Sequence, residues 1–341
     1  MIFKIETNKT FKKQKINKQD ENIIKKKIYN NFILSKKVKS IYSINKNSNT
    51  SKIYEIEEDN NIKKILRSSN ISEFNKTNWA VKKINTLSSN YFFNLIKTAN
   101  NKYIHRYKKN IYLLYYRVPG KIYSGKILEF YNILQKSISL HNNFNNKNKF
   151  KTKKIKKNNF KNFEEFIMQD NLLISSIIKK ETNELLQKNK KFILNQIKVM
   201  KNKKTFNDIQ VVHSDINHAN IIINKSGVTF LDIEDIRLDS LGVALSFLIF
   251  KLTRHSIYKN KITLKKFKNF ILDKILNILK KNNIKLDKKK IIQNSVFRTL
   301  TDLELIISQI KNKNFDNFYD LEKKLHNLVE IRYMFDDEYK V

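Results

Sequence analysis

The chain has 341 residues, of which 40% are hydrophobic, and this is enough to bury two separate cores. It contains no cysteine, which excludes a disulfide framework and a cysteine-based zinc site. The net charge of +38 comes mostly from lysine spread along the whole chain. Nucleic-acid-binding proteins more often cluster arginines with aromatic residues, so we interpret the surplus as a compositional bias of the surface.

The first residues are charged too early for a secretory signal. The longest apolar stretch, residues 241–250, is too short to span a bilayer. We therefore expect a cytoplasmic protein without a membrane span.

The amino-terminal third of the chain predicts a basic arm followed by a small domain. Residues 1–40 are rich in lysine and asparagine and contain one amphipathic helix near residues 21–32. Residues 41–117 are expected to form strands and one helix. The apolar face of that helix recurs at helical spacing and consists of Trp79, Val81, Ile84 and Leu87.

The remaining residues, 118–341, predict a larger and mainly helical domain. A helix is expected over 121–143, with Ile127, Phe130, Ile133 and Leu134 on its apolar face. A loop rich in asparagine and lysine over 142–160 precedes helices at about 161–202. Two short apolar runs, Ile221 to Ile223 and Val228 to Leu231, then predict a hairpin with its turn at 224–227.

Polar residues flank this predicted hairpin. Asp215 is followed five residues later by Asn220, directly before the first strand, and Asp232 follows the second strand. A hairpin would return Asp232 to a position beside Asn220. Kinase-type active sites use this arrangement: one carboxylate accepts the proton of the acceptor hydroxyl, while a carboxamide and a second carboxylate hold Mg²⁺. A polar turn whose side chains only cap the backbone is the structural alternative.

These residues resemble the aminoglycoside phosphotransferase and choline kinase superfamily. Its members typically show His-Gly-Asp-x-x-x-x-Asn and then Ile-Asp-Phe-Glu-Asp. The corresponding segments here are His213-Ser-Asp215-Ile-Asn-His-Ala-Asn220 and Leu231-Asp232-Ile-Glu234-Asp235. Weaker similarity is carried by Pro119-Gly120 and by Leu140-His141.

The resemblance implies an α+β, protein-kinase-like fold with a small β-rich N-lobe and a larger, mainly helical C-lobe. It also implies ATP and Mg²⁺ as cofactors. The partner would be a small-molecule acceptor such as an amino alcohol, a sugar or an aminoglycoside. The oligomeric state cannot be read from the sequence.

The resemblance assigns roles to individual residues. Asp215 would be the catalytic base and His213 would brace its loop. Glu234 would assist Asn220 and Asp232 in holding the metal.

A basic strand residue should reach the phosphates of the nucleotide, with Arg67 preferred over Lys64. The chain has only four glycines, so a segment ending at Ser51 (residues 45–51) would replace a glycine-rich phosphate loop.

Three further residues are candidates for substrate binding: Asp235, Asp239 and His218. The two carboxylates could complement a cationic acceptor, or they could pair with Arg237 or cap a helix. His218 could contact the acceptor or could simply be a solvated residue of the loop.

Departures from the family pattern keep other functions open. Ala244 stands where relatives carry a bracing aspartate, and Asn78 or the earlier Glu73 stands near the position of a glutamate that orients the basic residue. A catalytically impaired, pseudokinase-like nucleotide-binding protein is therefore the first alternative. A basic nucleic-acid-associated protein is the second.

Overall fold

The structure, a computed structural model, describes residues 13–33, 37–44, 51–87, 91–146, 160–169, 178–202, 208–311 and 318–335. The described residues form two compact units. The small unit contains the residues up to 122 together with 219–236. The large unit contains 123–218 and the residues from 237 onward. The fold is two-lobed and α+β, which confirms the predicted fold class.

An antiparallel sheet is the frame of the small unit. Its strands are β1 (Lys13–Lys15), β2 (Val38–Ile44), β3 (Ser51–Glu58), β4 (Lys63–Asn70), β5 (Leu95–Ile96), β6 (Ile104–Tyr107) and β7 (Asn110–Tyr116). Their order is β1-β2-β3-β4-β7-β5, and β6 also pairs with β7. In β4, Arg67 is opposite Ile53 of β3 and Leu113 of β7. Pairing on both edges fixes the face on which each β4 side chain lies.

The predicted amino-terminal helix packs on this sheet. α1 (Lys18–Ile23) continues through a π-helical turn (Ile24–Ile28) and a 3-10 turn (Tyr29–Asn31). Asn17 caps it by accepting a hydrogen bond from the Asp20 N–H. The helical segment and the sheet share one hydrophobic core. The helical segment contributes Ile24, Ile28, Tyr29 and Phe32, and the sheet contributes Ile41, Ile56, Leu66 and Leu114. The segment therefore belongs to the core of the small unit, although the sequence placed it in an appended arm.

The helix after β4 is α2 (Phe74–Ile84). Val81 and Ile84 of its predicted apolar face are buried, whereas Trp79 is half-buried. α2 packs against the short 3-10 turn Ile233–Asp235, which follows Asp232. This contact connects the small unit's helix to the second half of the predicted motif.

The predicted hairpin is confirmed. β10 (Ile221–Asn224) and β11 (Gly227–Phe230) are antiparallel, and β8 (Lys121–Ile122) pairs with the other edge of β10. Gly120 precedes β8 with φ +141°, and an added Cβ would lie 2.5 Å from the carbonyl oxygen of Ile223. Only glycine allows this close approach of the two backbones. Residues 118–122 and 219–236 thus group with the sheet, although the sequence assigned both to the helical lobe.

The large unit is mainly helical. Its helices are α3 (Ile127–Asn146), α4 (Lys161–Met168), α5 (Lys180–Asn202), α6 (Leu241–Tyr258), α7 (Leu264–Lys266), α8 (Leu272–Lys281), α9 (Lys288–Lys311) and α10 (Phe318–Phe335). β9 (Ile209–His213) pairs with β12 (Ile236–Ser240). Phe130, Ile133 and Leu134 of α3 are fully buried, as predicted. Most of the predicted loop over 142–160 lies outside the described residues.

α6 is the central helix of the large unit and packs against α3, β9 and α9. Ser240 caps its start by accepting the Val243 N–H at 3.1 Å. The first half of α6 is the apolar stretch noted in the sequence, and the second half buries the charged residues Lys251 and Arg254. Among the described residues, no helix is long and apolar enough to cross a membrane.

Candidate functional site

Arg67 and the acidic loop after β11 form a charged cluster in the small unit. The Arg67 guanidinium donates to Asp232 Oδ1 at 2.8 Å and to Glu234 Oε2 at 2.5 Å. Ser69, two residues further along β4, donates to Glu234 Oε1 at 3.0 Å. Alternate residues of a strand lie on the same face, which is why Arg67 and Ser69 reach the same loop. We call Arg67, Asp232 and Glu234 the acidic cluster.

The acidic cluster is largely shielded from solvent. Arg67 is 9% exposed, and its two carboxylate partners are nearly as buried. Burial alone would lower the pKa of Arg67, but Asp232 and Glu234 outweigh burial and hold this pKa above its ordinary value. Charge-assisted hydrogen bonds of this kind fix the orientation of both carboxylates. Within the described residues, the ion-pair partners of Arg67 belong to the loop after β11. Glu73, which directly precedes α2, instead lies 3.7 Å from Lys76.

Asp232 has an unusual backbone conformation. Its φ of 62° and ψ of 59° lie in the left-handed region, which aspartate tolerates better than most residues. The neighbouring Leu231 N–H donates to the Asn220 carbonyl at 2.8 Å, so the hairpin ladder sets the two ends of the hairpin side by side. Asn220 itself is 6% exposed. The sharp reversal at Asp232 directs the chain into the turn that carries Glu234.

The donors around this hairpin fit a magnesium ion. Asn220 offers a carboxamide oxygen, and Asp232 and Glu234 offer carboxylate oxygens, which are the hard ligands that Mg²⁺ selects. Mg²⁺ keeps several waters and needs only one or two carboxylates, so a larger protein cage is unnecessary. Among the described residues, no group of three or more His, Cys, Asp or Glu side chains could hold a metal. The carboxamide of Asn220 therefore matters for this assignment.

The other two predicted nucleotide-binding residues have different surroundings. Lys64 is buried and donates to Glu58 at 2.6 Å and to the Tyr29 hydroxyl at 3.0 Å. Its ammonium group is thus part of a separate cluster. Ser51 begins β3 and pairs with Ser69, the serine that binds Glu234. Residues 45–50 of the expected phosphate loop lie outside the described residues.

Asp215 and His213 lie in the large unit, at the end of β9. Asn217 Nδ2 donates to Asp215 Oδ2 at 2.8 Å and thereby orients the carboxylate. The His213 backbone N–H donates to His141 Nε2 at 3.1 Å, and Gln210 donates to the His141 carbonyl at 3.2 Å. A histidine of α3 therefore braces the strand that leads to Asp215.

His141 is a buried, neutral imidazole. Burial and, to a smaller extent, the charge of the neighbouring His213 lower its pKa from 6.5 to about 3. Because Nε2 accepts a hydrogen bond, the proton of the ring belongs on Nδ1, which has no hydrogen-bond partner among the described residues. The histidine of the Leu140-His141 pair thus holds the strand that precedes Asp215.

The three predicted substrate-binding residues have partners of their own. The His218 ring stacks on His255 of α6, with centroids 4.2 Å apart and an interplanar angle of 12°. Asp239 Oδ2 accepts two hydrogen bonds from Arg237, at 3.0 and 2.7 Å, and its Oδ1 accepts the Ser240 N–H at 2.8 Å. Asp239 therefore pairs with Arg237, which was the alternative to binding a cationic acceptor. Asp235 ends the 3-10 turn of the acidic loop.

A carboxylate outside the sequence motif holds the start of α6. Ala244 is buried in α6, and the Gly242 N–H of the same helix donates to Asp208 Oδ2 at 2.6 Å. The Leu241 N–H donates to the Asp208 carbonyl at 3.1 Å. Asp208 therefore ties the start of α6 to the start of β9. Sequence reasoning missed Asp208 because alignment to the motif points only to position 244.

No family model matches the chain, and no curated protein matches it significantly in sequence. Several solved structures are similar to it in fold. A spectinomycin phosphotransferase in complex with ADP and spectinomycin is 12% identical, with a TM-score of 0.58 over 88% of this chain and 94% of that one. An amicoumacin kinase in complex with AMP-PNP and Ca²⁺ is also 12% identical, with a TM-score of 0.54 over 84% of this chain and 87% of its own.

An aminoglycoside phosphotransferase from Alicyclobacillus acidocaldarius is similar to the same degree. It is 12% identical, and its TM-score is 0.55 over 89% of this chain and 92% of that one. The chain therefore has the fold of the aminoglycoside phosphotransferases, and the predicted resemblance is confirmed at the level of the fold.

Proposed function

We propose that this protein is an ATP-dependent phosphotransferase that transfers the γ-phosphoryl group to a hydroxyl group of a small molecule. The observation that carries the proposal is the acidic cluster at the end of a hairpin that begins at Asn220, five residues after Asp215. This cluster combines oriented carboxylates with a guanidinium, which are the groups that nucleotide phosphates and their metal require. The similarity to structures that hold ADP or AMP-PNP supports the choice of nucleotide.

In the proposed reaction, Asp215 accepts the proton of the acceptor hydroxyl while the hydroxyl oxygen bonds to the γ-phosphorus. The bond between the γ-phosphorus and the β–γ bridging oxygen breaks, and ADP leaves with that electron pair. Asn217 keeps the Asp215 carboxylate oriented, and His141 holds the strand that precedes it. Alignment of the reactants contributes more than bond-making by the protein.

Mg²⁺ bound by Asn220 and Asp232 would neutralise charge on the phosphates. Arg67 orients Asp232, and Glu234 assists at the same site. Ser51 and Ser69 lie opposite each other on β3 and β4 and lend hydroxyl groups to the nucleotide side of the site.

A pseudokinase-like nucleotide-binding protein is the second candidate, and one observation favours it. Arg67 already forms ion pairs with both acidic side chains, so a metal ion has to compete with a guanidinium for oxygens of the same carboxylates. Such a protein would bind nucleotide without turning it over.

Two measurements separate these functions. MgATP should raise the melting temperature of the protein, and an acceptor screen should show acceptor-dependent ADP release. Asp215→Asn should keep the thermal shift while turnover falls by about a hundredfold or more. Asp232→Asn should lose the magnesium-dependent part of the shift. Asp273→Asn, which removes an exposed carboxylate of α8, is the matched control and should behave like the wild type.

No thermal shift at millimolar MgATP would refute nucleotide binding and both candidate functions with it. A shift without ADP release from any acceptor would favour the pseudokinase-like protein.

A further inference from the structure

The ring of Phe247, on α6, is surrounded by cationic side chains. Lys251 Nζ lies 5.0 Å from the ring centroid, Lys324 Nζ lies 5.6 Å from it, and Arg298 Cζ lies 5.7 Å from it. These cations come from three helices, α6, α10 and α9, so tertiary packing assembles them. We call these three residues, together with Asp302 of α9, the lysine cluster.

The lysine cluster contains more basic than acidic side chains. Asp302 forms ion pairs with Lys324 and, at 3.5 Å, with Arg298. Three basic side chains share the one carboxylate of Asp302 within the cluster, and Asp215 also acts electrostatically on Lys251 and Lys324. Within the part of the chain that the structure describes, Lys251 has cation–π contacts with Phe247 and Phe250 but no hydrogen bond or ion pair.

Lys251 is nevertheless only 8% exposed. Burial lowers the pKa of Lys251 well below its ordinary value, Lys324, Lys323 and Arg254 lower this pKa further, and Asp215 raises it. A buried ammonium group without a direct ion-pair partner is unfavourable, and an anion bound beside Lys251 would favour its charged form. The lysine cluster therefore has the properties of an anion-binding site.

This site is close to the proposed catalytic base. Asp215 raises the pKa of both Lys251 and Lys324, so its carboxylate lies within electrostatic reach of both ammonium groups. α6 packs directly on β9, which ends at His213, two residues before Asp215. A ligand group at Lys251 would therefore lie within electrostatic reach of Asp215.

The carboxylate expected to bind a cationic acceptor in the large unit has other partners. Asp239 is neutralised by two hydrogen bonds from Arg237 and one from the Ser240 N–H. The charges of Lys251 and Lys324, which act on Asp215, oppose the binding of a polycationic acceptor there.

We propose that the acceptor carries an anionic group, a carboxylate or a phosphate, and that Lys251 and Lys324 bind this group while the acceptor hydroxyl faces Asp215. The inference rests on the proposed phosphotransferase function. It names the acceptor class: a hydroxylated acid or a phosphorylated alcohol.

The first test requires no turnover. The melting temperature of the full chain is measured against inorganic phosphate and against D-glycerate, with chloride at equal ionic strength as the reference for general salt effects. We expect a saturable rise for the wild type. Lys251→Met should abolish it, because methionine keeps the contact with the aromatic rings but removes the charge. Lys265→Met, at an exposed lysine of α7, is the matched control and should keep the rise.

The second test compares four acceptors that share a three-carbon hydroxylated skeleton: glycerol, D-glycerate, glycerol 3-phosphate and 3-amino-1,2-propanediol. ADP release should be fastest with one of the two anions, and the faster of them identifies the group as carboxylate or phosphate. Lys251→Met should raise the KM for that anion by about tenfold to a hundredfold, as expected for loss of a hydrogen bond between charged groups. The KM for ATP should not change.

Three outcomes would count against the anionic acceptor or against the phosphotransferase function. An absent anion effect, or an equal effect in Lys251→Met, overturns the inference. Fastest turnover with the amine, unaffected by Lys251→Met, overturns it too while leaving the phosphotransferase function intact. If the anion effect depends on Lys251 but none of the four acceptors releases ADP, the anion site is supported and the result counts against the proposed function.

Discussion

The acidic cluster of the small unit and the lysine cluster of the large unit are built from the same chemical groups in opposite proportion. In the acidic cluster, one guanidinium meets two carboxylates, and the surplus is negative. In the lysine cluster, three basic side chains meet the single carboxylate of Asp302, so the basic groups are in surplus. A metal cation would complement the first cluster, and an anionic ligand would complement the second.

A third cluster shows what a balanced arrangement looks like. Lys64 and Glu58 form a buried ion pair that the Tyr29 hydroxyl completes. One cation meets one carboxylate there, and no ligand is needed to balance charge. The comparison suggests that the sign of the surplus, and not burial as such, indicates which ligand a charged cluster binds.

The strongest test removes the only cation of the acidic cluster. Arg67→Met leaves Asp232 and Glu234 buried together without a counter-charge. We expect a loss of about 3–5 kcal/mol in the free energy of unfolding in magnesium-free buffer, measured by urea denaturation. Mg²⁺ should restore part of this loss, because it supplies the missing positive charge.

Arg67→Lys is the matched control. A single ammonium group keeps the charge but cannot bridge both carboxylates as the planar guanidinium does, so an intermediate loss is expected. If Arg67→Met were as stable as the wild type and indifferent to Mg²⁺, the acidic cluster would not be a metal site.

The mirror-image test removes the only carboxylate of the lysine cluster. Asp302→Asn leaves Lys324 and Arg298 without their ion-pair partner. We expect a loss of about 2–3 kcal/mol, on the scale of hydrogen bonds to charged groups. The stabilisation by inorganic phosphate should increase at the same time. A loss of stability without any change in the phosphate effect would separate Asp302 from the anion site.

Strand periodicity shows from the sequence that Arg67 and Lys64 cannot both face the same loop, and the structure shows which of them does. The two residues are three positions apart on β4, so they lie on opposite faces of the strand. Only one of them can face the loop after β11, and that residue is Arg67. The same rule adds Ser69, which shares the face of Arg67 and binds Glu234.

The hairpin could be predicted because its pattern is local: two apolar runs, a turn and flanking polar residues. The lysine cluster could not be predicted, since Lys251, Arg298 and Lys324 lie on three helices and lysine is frequent throughout the chain. The contact of Asp208 could not be predicted for a related reason, because Asp208 and Gly242 are 34 positions apart in the sequence. Contacts that depend on helix packing leave no signal in residue spacing.

A buried group that stays neutral sharpens the comparison with the charged clusters. The pKa of His141 is lowered from 6.5 to about 3, so the unfolded chain takes up a proton as pH falls through 6.5 while the folded protein does not. The contribution of this group to the free energy of unfolding is therefore complete above pH 6.5, and it is lost as pH falls from 6.5 towards 3. Between pH 7 and pH 5, the free energy of unfolding should fall by about 1–2 kcal/mol from this group. His141→Asn should show a correspondingly shallower pH dependence, and an unchanged profile would contradict the assignment.

The smallest effect is expected for the charge outside these clusters. The net charge of +38 is distributed over the whole chain, and exposed lysines attract any polyanion without selecting one. Affinity for duplex DNA should therefore be weak, with a Kd of roughly micromolar or poorer at physiological salt, and it should not depend on sequence. Lys251→Met should leave this affinity unchanged, because Lys251 is buried among aromatic rings. Lys265→Met, at an exposed position, should weaken DNA binding slightly. In the phosphate experiment the opposite is expected, since there Lys251→Met loses the effect and Lys265→Met keeps it. Tight, sequence-selective DNA binding at that salt would instead indicate that the positive charge binds nucleic acid.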